Sequence, residues 1–213
     1  MKAEIVEQVE ASYRSPRWLR NGHANTIWAY IFKPAKRVDY HREVLTTSDD
    51  DELHIDWTEA PGESDDATPL VVGCHGLEGN ASTPYMRRLM AQTKARGWIG
   101  VALNYRGCAG EDNRTLRAYH SGFTGDLELV LQHIADTAPN RPVYLVGYSL
   151  GGSIVANYLG RSGDQVRPSL RAAFLCSAPF LLAPGSAALQ EGFNQVYEQK
   201  FLRTLKRKVA GKG

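Results

Sequence analysis

Ser149 lies in the pentapeptide Gly-Tyr-Ser-Leu-Gly, between the apolar run VYLV and a stretch with helically spaced apolar residues, LGGSIVANYLG. A serine held in a tight turn between a strand and a helix projects its hydroxyl above the sheet, where it can attack a carbonyl carbon. Gly147 and Gly151 leave room for the helix and the strand to approach closely. The N–H of Leu150, at the helix N-terminus, is a candidate donor to the negative oxygen of a tetrahedral intermediate. The alternative interpretation is an ordinary helix start that the Ser149 hydroxyl caps.

A second donor is expected from the loop after an earlier strand, and the segment CHGLEGN follows the apolar run PLVVG. In this interpretation Gly76 allows a sharp turn, and the N–H of Leu77 completes an oxyanion hole. His75 supports the loop and is not the catalytic base. The alternative for His75 is a hydrogen-bonded histidine at a strand end with no direct role, and the sequence leaves both open.

The base that would activate Ser149 is missing from this sequence. Where a serine occupies such a turn, an acid and then a histidine follow it on later loops. No histidine follows Ser149, and the acidic residues after it are Asp164, Glu191 and Glu198, none of which is well placed. We therefore expect the chain as written to lack most of the rate enhancement of a complete triad.

Other polar residues carry weaker signals. Four residues end the next predicted strand and are candidates for the pocket floor: Asn104, Tyr105, Arg106 and Gly107. Arg106 is interpreted in preference as an anchor for loops through salt bridges. His120 is expected to order a loop, and Asp126 to stabilise the first turn of a helix. The remaining histidines show no pattern of partners: His23, His41, His54 and His133.

Strands and helices alternate through the region that carries these residues. The hydrophobic pattern predicts a hairpin around an acidic turn at residues 48–51. It then predicts strands over 69–75, 98–103, 143–146 and 172–176, and helices over 84–96, 125–135 and 150–159. Residues 187–208 are predicted to form one amphipathic helix. This order predicts an α/β fold, with a mostly parallel sheet covered by helices on both faces and chemistry at the carboxyl ends of the strands.

Length and composition favour one domain. The chain has 213 residues, 43% of them hydrophobic, which suffices for a single core. We divide it into an N-terminal extension (1–40), a core (41–178) and the start of a helical lid (179–213). The 25 basic and 23 acidic residues nearly balance, which argues against a nucleic-acid partner. The basic stretch at 200–213 is interpreted as a solvated terminus rather than a membrane patch.

Cysteine usage and the terminal sequence bear on location and cofactors. Cys74, Cys108 and Cys176 are odd in number and lack metal-ligand spacing, so we expect no disulfide framework, metal or cofactor. A polar N-terminus and the absence of a long apolar run predict neither a secretory signal nor a membrane span. The cytoplasm is the simplest compartment, and the oligomeric state stays open.

The blocks NGHANTIW, HGLEGN, NYRGC, YHSG, GYSLGG and SAPF, in this order and spacing, resemble the α/β-hydrolase family that includes bacterial YheT-type esterases, plant EMB8 proteins and animal ABHD-type lipases. The resemblance spans nearly the whole chain. It implies a carboxylic-ester hydrolase, either a short-chain esterase or an acylglycerol lipase, acting on a small ester or lipid with Ser149 as nucleophile. It also implies that a helical insertion over the active site begins after SAPF.

Members of that family continue beyond this insertion to the acid and the histidine. We therefore expect this chain to be C-terminally truncated, as a fragment or a frameshifted product, in preference to a shortened natural form. The alternative function is a catalytically silent hydrolase fold that acts as a binding protein.

Overall fold

A computed structural model of the chain describes residues 14–31, 37–60, 65 and 67–211. The chain divides into two compact units, Met1–Pro34 and Ala35–Gly213. The first unit contains a 3₁₀ turn at Arg17–Leu19 and helix α1, Gly22–Ile31, for which the sequence analysis made no prediction. The side chain of Asn21 accepts hydrogen bonds from the N–H groups of His23 and Ala24. Asn21 therefore caps the start of α1, and asparagine is a residue type typical of that position.

The second unit contains one six-stranded sheet in the order β1-β2-β4-β3-β5-β6. The strands are β1 (His41–Thr46), β2 (Glu52–Trp57), β3 (Leu70–Cys74), β4 (Ile99–Asn104), β5 (Val143–Tyr148) and β6 (Leu170–Cys176). Strands β3 to β6 pair in parallel, whereas β1 and β2 form the predicted antiparallel hairpin and β2 joins β4 antiparallel. The predicted fold class is therefore confirmed, and the four parallel strands begin and end within two residues of the predicted limits.

Three helices follow the parallel strands: α2 (Pro84–Lys94), α3 (Gly125–Thr137) and α4 (Leu150–Ser162). Val72 and Cys74 of β3 belong to the apolar cluster that contains the buried apolar side chains of α3 and α4. Gly73, between them, faces Met86 and Met90 of α2, whose terminal methyl carbons would lie 2.7 Å from an added Cβ. Because successive strand residues point to opposite faces, helices cover both faces of the sheet, as predicted.

The prediction of one helix over 187–208 is wrong. Helix α5 already begins at Leu182 and ends at Leu189, a 3₁₀ turn occupies Gly192–Asn194, and α6 runs from Gln195 to Ala210. Gly192 has φ +53°, a left-handed conformation that interrupts helical geometry. The pattern was misleading because the amphipathic period continues across this break.

Candidate active site

Ser149 occupies a strained turn between β5 and α4. Its backbone has φ +50° and ψ −122°, a region that non-glycine residues rarely adopt. The Ser149 side chain is exposed and makes no capping hydrogen bond to α4, while its N–H donates to the Cys176 carbonyl at 2.9 Å. A cap would require the hydroxyl to bond the first turn of the helix. The capped-helix alternative is therefore wrong, and the hydroxyl points outward from the carboxyl edge of the sheet.

Two glycines allow the close approach that this turn requires. A Cβ on Gly147 would lie 2.6 Å from the Gly152 Cα, and one on Gly151 would lie 2.4 Å from the carbonyl oxygens of both Cys74 and His75. These separations are shorter than van der Waals contact, and backbone atoms cannot move aside as flexible side chains do. Helix α4 therefore packs directly on the end of β3.

The loop after β3 lies beside the serine. The register pairs Cys74 with Gly147, so the chain leaving β3 runs next to the turn that follows β5. A Cβ added to Gly76 would lie 3.1 Å from the Ser149 Cβ and 3.7 Å from its Oγ. The structure thus brings together the two segments that the sequence analysis selected, residues 75–77 and 147–151.

The N–H groups of this loop are mostly engaged. The Gly76 N–H donates to the Tyr85 hydroxyl at 3.0 Å, and the Glu78 N–H donates to the Tyr119 hydroxyl at 2.7 Å. Within the part of the chain that the structure describes, the N–H groups of Leu77 and Leu150 have no hydrogen-bond acceptor. Unpaired backbone donors near a nucleophile can stabilise a developing negative charge.

His75 is fully buried, and both of its ring nitrogens are engaged. The Tyr105 N–H donates to Nε2 at 3.1 Å, so the ring proton is placed on Nδ1, which donates to the Gly76 carbonyl at 2.7 Å. Burial lowers the pKa of His75 to about 4. The neutral ring joins the loop after β3 to the end of β4, a geometry suited to supporting the loop and unsuited to shuttling protons.

A buried charged cluster supports the neighbouring loop after β4. The Arg106 guanidinium contacts Asp49 at 2.7 Å and Asp126 at 2.9 Å, and the Arg106 side chain is 3% exposed. Burial raises the pKa of Asp126 against the opposing effect of Arg106. These contacts agree with the preferred interpretation of Arg106 as an anchor for loops through salt bridges. From the sequence, Asp49 is predicted only as part of a turn, because an ion pair between residues 57 positions apart leaves no local pattern.

The other predicted polar residues do not reach Ser149. His120 is exposed, and its Nδ1 accepts a hydrogen bond from the Gly122 N–H at 3.2 Å, which orders its own loop. Asn104 bonds the Ala81 N–H and Asp56. Among the described residues, no imidazole bonds the Ser149 hydroxyl, and none of the groups of His, Cys, Asp and Glu is arranged to hold a metal ion. None of the described helices is long and apolar enough to cross a bilayer.

Helix α6 contacts the loop after β3 through one lysine, which the sequence analysis missed. The Lys208 Nζ lies 2.8 Å from Glu78 Oε1 and 3.3 Å from the Cys108 Sγ. Glu78 adopts φ +55° and is next to Leu77. The positive charge of Lys208 therefore offsets the negative charge of Glu78, which would otherwise repel an anion bound at the Leu77 N–H.

Comparison with known proteins agrees with this architecture. The Hydrolase_4 family, described as serine aminopeptidase S33, matches residues 65–210. The chain is 35% identical over 202 residues to "Putative esterase YheT" of Escherichia coli (strain K12), covering 95% of this chain and 58% of that protein. It is 28% identical over 200 residues to "Phospholipase ABHD3" of Homo sapiens, covering 92% of this chain and 48% of that protein. The chain thus spans about half the length of these relatives.

Among solved structures, a "Putative hydrolase" from Agrobacterium vitis S4 aligns with a TM-score of 0.56 at 16% identity, covering 76% of this chain and 61% of that one. This likeness concerns the fold alone. The family match covers more than half of the chain and includes the Ser149 turn and the loop after β3. The chain therefore belongs to the Hydrolase_4 family of α/β-hydrolases, and its resemblance to the YheT- and ABHD-type proteins is confirmed.

Proposed function

We propose that Ser149 is the nucleophile of a serine carboxylic-ester hydrolase of the short-chain esterase or acylglycerol lipase type. The observation that carries the proposal is the Ser149 backbone at φ +50°, which holds an exposed, uncapped hydroxyl beside Gly76. Strain of this kind persists only where the surroundings enforce it, and here Gly147 and Gly151 provide the close packing that does so. The N–H groups of Leu77 and Leu150 hold the oxyanion during attack on the acyl carbonyl.

Each supporting residue has a separate task. His75 and Gly76 set the path of the loop, so that the Leu77 N–H faces the reacting carbonyl. Helix α4 begins at Leu150, where its dipole favours the oxyanion. Hydroxide takes the proton of Ser149 Oγ, which forms a bond to the acyl carbon; the bond from that carbon to the alcohol oxygen then breaks, and the alkoxide takes a proton from water. A second water hydrolyses the acyl-enzyme and releases the acid and free Ser149.

The base and its acid are proposed to lie outside these 213 residues. Two observations support this. No histidine follows Ser149 in the sequence, and the buried His75 has both nitrogens engaged. For the 213-residue chain, only hydroxide and the oxyanion donors then promote attack, so turnover is slow.

A fluorophosphonate probe tests the nucleophile. We expect the chain to be phosphonylated at Ser149, as located by peptide mass spectrometry, and the labelling rate to keep rising with pH because hydroxide removes the proton. Ser149→Ala should abolish labelling, while Ser186→Ala, at an exposed serine of α5, should not. Absence of labelling at alkaline pH would refute the nucleophile, and a plateau near pH 7 would show that a base is present.

An ester and an amide of the same acyl group distinguish the proposed activity from the peptidase named in the family description. A p-nitrophenolate leaves without protonation, whereas an anilide needs a proton from a general acid. We therefore expect acylation of Ser149 by p-nitrophenyl butyrate and none by the p-nitroanilide. Equal reaction with both would contradict the ester assignment.

The second candidate is a binding protein that retains the fold without turnover. It is favoured by the lack of any imidazole bonded to Ser149 among the described residues. A chain that unfolds cooperatively, binds a butyrate ester and is never acylated would support this candidate over hydrolysis.

The free thiols of Cys74, Cys108 and Cys176 suit a reducing cytoplasm, which we propose as the compartment of this protein.

A further inference from the structure

The backbone N–H groups on either side of Leu77 are both held by tyrosine hydroxyls. The Gly76 N–H donates to the Tyr85 hydroxyl at 3.0 Å, and the Glu78 N–H donates to the Tyr119 hydroxyl at 2.7 Å. Among the described residues, the Leu77 N–H between them has no acceptor. A backbone N–H carries a single proton, so one that is engaged in a direct hydrogen bond is not available to a second acceptor. The two hydroxyls therefore leave Leu77 as the donor of residues 76–78.

Tyr119 holds Glu78 at two points. Its hydroxyl accepts the Glu78 N–H and donates to Glu78 Oε1 at 3.2 Å, an oxygen that the Lys208 Nζ also contacts at 2.8 Å. Burial raises the pKa of Tyr119, so the hydroxyl keeps the proton that it donates. Glu78 has φ +55°, a conformation that is uncommon for residues other than glycine. Strain of this kind persists only where the surroundings enforce it, and the two hydrogen bonds of Tyr119 do so here.

Tyr85 connects the loop after β3 to the Ser149 turn. It is the second residue of α2, and its ring packs against the ring of Tyr148 with the centroids 4.8 Å apart. Tyr148 directly precedes Ser149 in the sequence. The hydroxyl of the same tyrosine accepts the Gly76 N–H. Tyr85 thus contacts both segments whose relative position sets the distance between the nucleophile and the loop donor.

The ring contacts of both tyrosines can be separated from their hydroxyl contacts. The Tyr119 ring stacks on the Tyr105 ring, with the centroids 5.0 Å apart and the planes 8° from parallel. The Tyr85 ring packs against Tyr148. Phenylalanine has the same ring without the hydroxyl, so it retains this packing and removes only the acceptor of the backbone N–H. Substitution by phenylalanine therefore isolates what each hydroxyl does.

We propose that Tyr85 and Tyr119 are positioning residues of the oxyanion hole, which engage the neighbouring N–H groups and fix the direction of the Leu77 N–H. This role rests on the proposed function, because it concerns the donor that the reacting carbonyl meets. Each tyrosine acts through the backbone of the loop and not on the substrate. Without the Tyr119 hydroxyl, the Glu78 N–H turns toward another acceptor, since an unpaired N–H away from water is costly. The peptide units beside it rotate with it, and the Leu77 N–H loses its direction.

Two esters test this role in the 213-residue chain: p-nitrophenyl butyrate and its thionoester, in which sulfur replaces the carbonyl oxygen. Sulfur is a weak hydrogen-bond acceptor, so the thionoester gains little from the donors of an oxyanion hole. The ratio of the two rates of Ser149 acylation should be higher in the parent than for hydroxide in solution, with Ser149→Ala as the blank. In Tyr119→Phe, acylation by the oxygen ester should be about tenfold slower, because a misdirected donor loses part of an effect that is about a hundredfold when a donor is removed. Acylation by the thionoester should change little, so the ratio falls, and Tyr85→Phe should behave in the same way.

Tyr40→Phe is the matched control, because it removes a tyrosine hydroxyl that bonds the backbone outside residues 76–78, at the Ala81 carbonyl. It should keep the rates and the ratio of the parent. The ratio does not depend on the folded fraction, since the same folded molecules react with both esters, and circular dichroism verifies that each variant folds. Equal slowing of both esters, or an unchanged ratio in the Tyr85 and Tyr119 variants, would show a structural role alone and overturn the proposal. A parent that is never acylated would refute the nucleophile and this role together, so the two failures are distinguishable.

Discussion

The buried imidazole of His75 makes the stability of this protein depend on pH in a defined window. Its pKa is lowered from 6.5 to about 4 by burial, so the unfolded chain binds a proton more readily than the folded protein does. The stabilisation by neutral His75 is fully present above pH 6.5 and is lost as the pH falls toward 4. At 1.36 kcal/mol per pKa unit, the loss is about 2 kcal/mol at pH 5 and about 3 kcal/mol at pH 4.

The variant His75→Gln isolates this contribution. A glutamine amide oxygen can accept the Tyr105 N–H, but the donor to the Gly76 carbonyl is lost, which costs about 1–2 kcal/mol at pH 7. Because glutamine does not titrate, the variant lacks the acid-dependent loss. The two curves of unfolding free energy against pH should therefore cross between about pH 5 and pH 6.

Urea denaturation followed by circular dichroism at several pH values between 4 and 7.5 measures this difference. His120→Gln places the same substitution at an exposed histidine and should retain the pH dependence of the parent. If the difference between parent and His75→Gln is constant across this range, the ring is not held neutral by burial. The assignment of His75 as a supporting residue, and not a base, would then fail.

Three further predictions address other contacts of the site. Arg106→Met leaves the buried carboxylate of Asp126 unpaired and should lower the free energy of unfolding by about 3–5 kcal/mol at pH 7. Burial raises the pKa of Asp126, so this loss should shrink as the pH falls and the carboxylate protonates, and a loss that does not change with pH would contradict this. The Cβ of Gly151→Ala would lie 2.4 Å from two carbonyl oxygens. This variant should lower the free energy of unfolding by at least about 1–3 kcal/mol and abolish fluorophosphonate labelling. Gly160→Ala, with open space around it in the same helix, should label normally. Lys208→Met should speed amide hydrogen exchange in the loop after β3 as measured by mass spectrometry, and unchanged exchange would show that the loop does not depend on α6.

Much of the fold could be predicted because it depends on short-range patterns. Continuous apolar runs predict β3 and β5, Pro84 marks the start of α2, and the spacing of apolar residues predicts α4. Gly97 predicts an end of α2 at residue 96, two residues beyond its end at Lys94. The limit of this reasoning is visible at Gly192, where a left-handed residue divides one amphipathic pattern into two helices. Because glycine adopts positive and negative φ about equally readily, its presence in the sequence does not say which of the two it takes.

The sequence by itself determined the candidate nucleophile, because a strand, a Gly-x-Ser-x-Gly turn and a helix are consecutive and their stereochemistry is local. The tertiary structure alone decided what surrounds it. The bond between Glu78 and Lys208 joins residues 130 positions apart. His75 supports its loop as a neutral ring only because the end of β4 lies against that ring. Such contacts depend on sheet order and burial, so their energies and the pKa shifts that follow arise only once the chain is folded.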